Sequence, residues 1–190
     1  THTIPPTAFI RLIHMHNRVK FGQIFGTNRA ALYKFWRSLL NSDDGTELQD
    51  LHPDLKDNAP EDLETSVPII IHEDAAPYSK RKGVNVLQWG PLMVTGSDIE
   101  SRFVYYNYIA KDKTRPAATA RRAWDEFWDD VGYMADGVDR FGATIAQDDH
   151  GTKWCFMFTF AENDYDMDVE HGLPNCKRAI LFCKHCRATN

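Results

Sequence analysis

The chain has 190 residues, a formal net charge of −5, 43% hydrophobic residues and 26% charged ones, which suits one well-buried main domain and gives no support to disordered, collagen-like or coiled-coil readings. No apolar run approaches the roughly 18–20 residues of a membrane helix, and the first residues lack a charged-then-apolar export pattern, so no membrane partner is expected. The acidic balance argues against a surface that is basic all over, of the kind that grips nucleic acid non-specifically.

From Ile10 to Leu40 the spacing predicts a helical pair: Ile10, Leu12, Ile13 and Met15, then, after a break at Gly22 and Gly26, Ala31, Leu32, Phe35, Trp36 and Leu39-Leu40. Thr27 or Asn28 caps the second helix, where a side-chain oxygen satisfies free backbone donors. Asn41 to Glu64 is rich in Asp, Glu, Asn and Pro with scattered leucines, and reads as a linker or irregular surface segment. This sets a boundary between an N-terminal region, 1–65, and a second unit, 66–190.

Past Ser66 the period changes. Val67 to His72 is a β-branched apolar run suited to a buried central strand, ending at Glu73-Asp74. Val84 to Val94 and Arg102 to Ala110 are two further β-rich runs, separated by the turn composition Thr95-Gly96-Ser97-Asp98. Ala117 to Met134 alternates apolar and charged residues at helical spacing, and Lys153 to Phe160 is an aromatic β-prone run that leads into Glu162-Asn163-Asp164. The order strand, strand, strand, helix, strand is that of a ribonuclease H-like α/β fold. In it three antiparallel strands are followed by a crossover helix and a fourth strand parallel to the first. Asp74 and Asp164 are then expected to meet at one edge.

Phosphodiester cleavage requires charge to be neutralised on the attacking and leaving oxygens, which two divalent cations about 3.5–4 Å apart achieve. Magnesium or manganese favours hard oxygen ligands, so Asp74 and Asp164 are the candidate catalytic and metal residues, with Asp166 as a further ligand and Glu73, His72 and Asp168 able to assist. The competing assignment is that acids at strand ends are solvated turn residues, and only the pairing through strand order raises these two above it.

Four cysteines, three of them in the last stretch, fit a reducing cytoplasmic or nuclear compartment better than a disulfide framework. Cys183-Lys184-His185-Cys186 is a C-x-x-C knuckle, which with Cys176 and His171 supplies four ligands for a tetrahedral Zn2+. An ordinary pair of reduced cysteines is the alternative, and Cys155, inside the fourth strand, reads as core. Lys80, Arg81 and Lys82 form a local basic cluster that is a candidate nucleic-acid contact, or else a solvated turn. His14 and His16, two apart on a helix, fall on different faces and read as helix packing; Trp89, Trp124, Trp128 and Trp154 read as core or helix-to-sheet contacts.

The run from His52-Pro53 through VPIIIHEDAAPYSK, then VLQW, then ENDYDMDVEHGLP and FCKHCRATN resembles the transposase-like proteins abundant in dinoflagellate genomes and, more distantly, the CACTA-type DDE transposases of mobile elements in plants and fungi. The similarity extends from about His52 to the end. It implies a ribonuclease H-like core acting on DNA, with Asp74 at the first acidic position, Asp164 or Asp166 at the second, and Cys183 and Cys186 in a cysteine-containing insertion. Where such proteins often have Gly before each acid, this chain has Glu73 and Asn163. A third acid is expected on a helix beyond the insertion, so the resemblance implies a fragment or decayed copy of a transposase core. The alternative is a non-enzymatic zinc-knuckle module that contacts protein or nucleic acid on the same fold.

Overall fold

The change from helical to alternating spacing near Ser66 is followed by the chain itself. A computed structural model describes residues 4–52, 55–56, 58–79, 82–93, 102–109 and 116–163. Four helices come first: α1 (Pro6–His16), α2 (Arg18–Phe25), α3 (Arg29–Leu40) and α4 (Asp43–Leu51). Their boundaries are set by polar caps. The side chains of Asn17, Asn28 and Ser42 accept hydrogen bonds from the backbone N–H groups of Lys20, Ala31 and Gly45, so each satisfies a donor that the first helical turn leaves free.

Two expectations change here. The break expected at Gly22 and Gly26 is found at Gly26, which ends α2 in the left-handed region (φ 60°), but Gly22 stays inside that helix and a further break falls at Asn17, which leaves helical geometry (φ −155°) to cap α2. The segment expected to be a linker contains α4, and its leucines are inside: Leu48, Leu55 and Leu63 are all buried in the main core. Leu48, Leu51 and Leu55 stand at i, i+3 and i+7, a helical spacing that the polar composition of the segment obscures.

The sheet consists of β1 (Ser66–Ser79), β2 (Lys82–Pro91), β3 (Phe103–Ile109) and β4 (Cys155–Asn163), in the order β3-β2-β1-β4. β1 runs antiparallel to β2 and β2 antiparallel to β3, whereas β1 and β4 are parallel. Helix α5 (Pro116–Ala135) lies between β3 and β4 in the chain and makes the crossover that a parallel pair requires. This is the mixed α/β arrangement expected from the sequence, with helices preceding an open four-stranded sheet. β1 is longer than expected. It does not end at Asp74, because its ladder with β2 continues to Ser79 opposite Lys82.

β1 is the central strand, and Val67, Ile69 and Ile71 are almost fully buried, as a β-branched run between two neighbours requires. Ile71 pairs with Trp89, and Val67 and Ile69 pair with Phe156 and Phe158, so these side chains share one face. The helices cover that face through aromatic contacts. Phe9 of α1 meets Trp89 and Phe103, Phe25 of α2 meets Phe103 and Phe156, and in α5 Phe127 meets Tyr105 while Trp128 meets Phe158. Trp36 of α3 is fully buried and donates its indole N–H to the Ser66 carbonyl at 2.7 Å, which fixes α3 at the start of β1. Buried aromatic side chains of this size contribute on the order of 3–5 kcal/mol each. Trp89, Trp128 and Trp154 thus join the core or pack against it, as expected.

Between α5 and β4 the chain makes two hairpins with one design. Val138 bridges Thr144, and Gln147 bridges Lys153. In the first, the Asp139 carboxylate accepts from the backbone N–H of Phe141 and Ala143; in the second, Asp148 accepts from those of His150 and Thr152. Each closes on a glycine with positive φ, Gly142 at 79° and Gly151 at 80°, a conformation that a side chain disfavours.

Candidate functional site

The edge that the sequence singles out lies where β1 and β4 run side by side. Their parallel register runs from Ser66 opposite Cys155 to His72 opposite Glu162 and Glu73 opposite Asn163. Asp74 follows on β1, where it pairs with Val86 of β2. His72, Glu73 and Asp74 are thus consecutive on β1, with Glu162 and Asn163 of β4 opposite the first two. Acidic positions therefore come together where the downstream end of β4 lies beside the middle of β1. The register irregularity between Ile69 and Ile70 is what brings Glu162 opposite His72.

Asp164, Asp166, His171, Cys176, Cys183 and Cys186 lie outside the described residues, as do Lys80, Arg81 and Asp168; Lys82 opens β2 opposite Ser79. Among the described residues no group of three or more His, Cys, Asp or Glu side chains could hold a metal ion. The acids that the register collects, Glu73, Asp74 and Glu162, are hard oxygen donors. Carboxylate oxygen is the ligand type that Mg2+ or Mn2+ takes, in contrast to a soft, thiol-bound metal.

Several polar links hold the frame around this edge. Asp130 of α5 is buried beside the start of α1, where Pro5 offers no side-chain cap. Its carboxylate accepts from the Thr7 backbone N–H at 2.7 Å and from the Thr7 hydroxyl at 2.8 Å, so the cap of α1 is supplied by another helix. Burial raises the Asp130 carboxyl above the ordinary carboxylate range, and the two Thr7 bonds only partly offset this. The ring Nε2 of buried His14 lies 2.8 Å from the Gln147 carbonyl, which joins α1 to the second hairpin. His14 thus serves packing, and His16 is exposed.

The two hairpins are gripped by arginines of the N-terminal helices. Arg11 of α1 donates to Asp139 at 2.8 Å, and Arg29 of α3 donates to Asp148 at 2.6 Å and to Glu64 at 3.2 Å. Asp139 is held below the ordinary carboxylate range, chiefly by the Ala143 N–H, with Phe141 and Arg11 adding to it. At Asp148 desolvation is the largest influence and acts upward, but the bonds from Thr152, Arg29 and His150 together outweigh it and lower the value. The free thiol of Cys155 is half-buried and pushed up by desolvation, so little of it is in the reactive thiolate form.

Nothing in the sequence expectations pointed to these hairpins. A signal was there in VDRFGAT and QDDHGTK, which repeat the D-x-x-G spacing nine residues apart. The chain matches no known protein-family model, no curated protein and no solved structure. No helix among the described residues is long and apolar enough to cross a membrane.

Proposed function

We propose that this chain carries a ribonuclease H-like core of the DDE transposase kind, and that in the intact protein Asp74 and Asp164 hold Mg2+ or Mn2+ for phosphodiester cleavage and strand transfer on DNA. The reading is supported by one observation above all. β1 and β4 are parallel neighbours in the order β3-β2-β1-β4, and their register reaches Glu73 opposite Asn163. The residues that come next in the two segments are Asp74 and Asp164. A helical crossover after an antiparallel meander is an economical way to bring two acids so distant in sequence to one edge. With the cation bound, its charge would polarise a phosphoryl oxygen and activate the attacking oxygen. The part left to the protein is to hold carboxylate oxygens on two neighbouring chain segments, which suits an ion that takes one or two carboxylates and completes its shell with water and phosphate.

The test is calorimetric titration of Mn2+ and Mg2+ into the protein and into Asp74→Asn and Asp164→Asn. Each substitution should weaken binding by more than the roughly 10-fold that loss of an outer-shell partner costs. Binding that is absent, or that persists unchanged in both variants, removes this reading.

A further inference from the structure

We propose that the outer face of α3 is a site for the phosphate groups of nucleic acid, built on the unpaired cations Lys34 and Arg37. A groove of about 520 Å3 lies along this face, lined by Ala30, Tyr33, Lys34, Arg37, Ser38 and Asn41. These positions recur at three- and four-residue intervals, so they form one stripe on the helix, apart from the buried Leu32, Trp36 and Leu40. Lys34, Arg37, Ser38 and Asn41 are exposed. Among the described residues neither cation has a carboxylate within ion-pair reach, whereas Arg11, Arg18 and Arg29 are each tied to an aspartate. The Trp36 indole N–H is bonded to the Ser66 carbonyl, so the helix that bears the groove is fixed to the strand that continues to Asp74.

Charge and side-chain chemistry select the occupant. α3 carries Arg29, Lys34 and Arg37 and no acid, and no carboxylate lines the groove. A helix face that is merely solvated gains by pairing its charges across one turn, as Arg122 and Glu126 do in α5 at 2.9 Å. The helix dipole favours Arg37 in the last turn but does not act on Lys34 further back. Glu61 stands at the edge of the groove, where it accepts from the Tyr33 hydroxyl at 3.3 Å, and this leaves the stretch from Lys34 to Asn41 to an anion. The Asn41 amide gives one N–H to the Arg37 carbonyl at 2.6 Å and has a second to offer. Lysine, arginine, serine and asparagine are side chains by which proteins hold the phosphate backbone. From Lys34 to Asn41 the stripe is roughly 10 Å long, room for about three successive phosphates of one duplex strand. An anionic membrane would call for exposed apolar side chains among the cations, and the exposed lining offers only Ala30. The groove contains neither Asp74 nor Asp164, so this contact stands or falls apart from the metal reading.

The experiment measures fluorescence anisotropy of a labelled DNA duplex of mixed sequence against the full chain, without divalent cation, between about 50 and 200 mM salt. The plot of log affinity against log salt should lose about one unit of slope in Lys34→Gln, about one in Arg37→Gln and about two in the double variant. At the low-salt end the double variant should bind about tenfold more weakly than the parent chain. The thermal midpoint should not move, since both side chains already face water. Lys20→Gln removes an exposed cation of α2 that lies outside the groove, and should leave the slope as it is. The proposal is overturned if the duplex does not bind, if the groove variants keep the parent slope, or if Lys20→Gln lowers it as much as they do. It is equally overturned if a polyglutamate peptide binds as tightly and displaces the duplex, or if inorganic phosphate at matched ionic strength saturates the chain while DNA does not bind.

Discussion

Asp130 is a residue whose position works against its charge. It is buried between α5 and the start of α1, and burial lifts its carboxyl above the ordinary range although two Thr7 donors favour the ionised form. Removing it would leave the N–H and hydroxyl of buried Thr7 without their acceptor. Asp130→Ala should therefore lower the free energy of unfolding by about 2–3 kcal/mol, while Asp130→Asn, whose amide oxygen can still accept the Thr7 N–H, should cost less. The pH dependence has a definite sign. Because the folded value lies above the unfolded one, the contribution of Asp130 is fully present below the ordinary carboxylate value of about 3.9 and is lost as pH rises through the folded value. Urea unfolding from about pH 4 upward should show this decline in the native protein and its absence in Asp130→Asn. A decline that persists in the variant would place its source elsewhere.

The paired hairpins act as a clamp between the N-terminal helices and the strand that carries Asn163. Each depends on an aspartate that gathers two backbone N–H groups and one arginine, and on a glycine in the left-handed region. An added methyl at Gly142 or Gly151 would meet nothing within 4 Å, so the penalty for alanine there is one of backbone conformation alone. Gly142→Ala and Gly151→Ala should each destabilise by about 1–2 kcal/mol, additively, as measured by thermal melts. A neutral result would mean the hairpin tips adapt freely. Asp139 and Asp148 run opposite to Asp130, since their folded values are depressed. Their support is present above the ordinary carboxylate value and lost as pH falls through the folded one.

For the molecule as a whole, the apolar core is continuous from Ile10 through Trp36, Leu48 and Leu63 to Trp89 and Phe158. A piece consisting of residues 66–190 would expose Val67, Ile69, Ile71 and Phe156 on the face that α1 and α2 cover. It should fail to show the cooperative unfolding of the whole chain, and circular dichroism with urea would detect a cooperative transition if one remained. Much of this frame is legible in the sequence. The β-branched run after Ser66, the turn-separated β-rich runs and the amphipathic helix before Lys153 give the elements and their order, because side-chain period follows backbone geometry directly. Strand order also carries the expectation that β1 and β4 are parallel, since a long helical connection cannot close a hairpin. What the sequence does not carry is contact across distance. The reach of Asp130 to Thr7 and of Arg29 to Asp148 leaves no periodic trace, because each depends on where another element lies. The same reasoning separates the parts of the candidate edge. The acids are visible at the ends of two predicted strands, but the extension of β1 past Asp74 and the register irregularity that sets Glu162 opposite His72 were decided only when the strands paired.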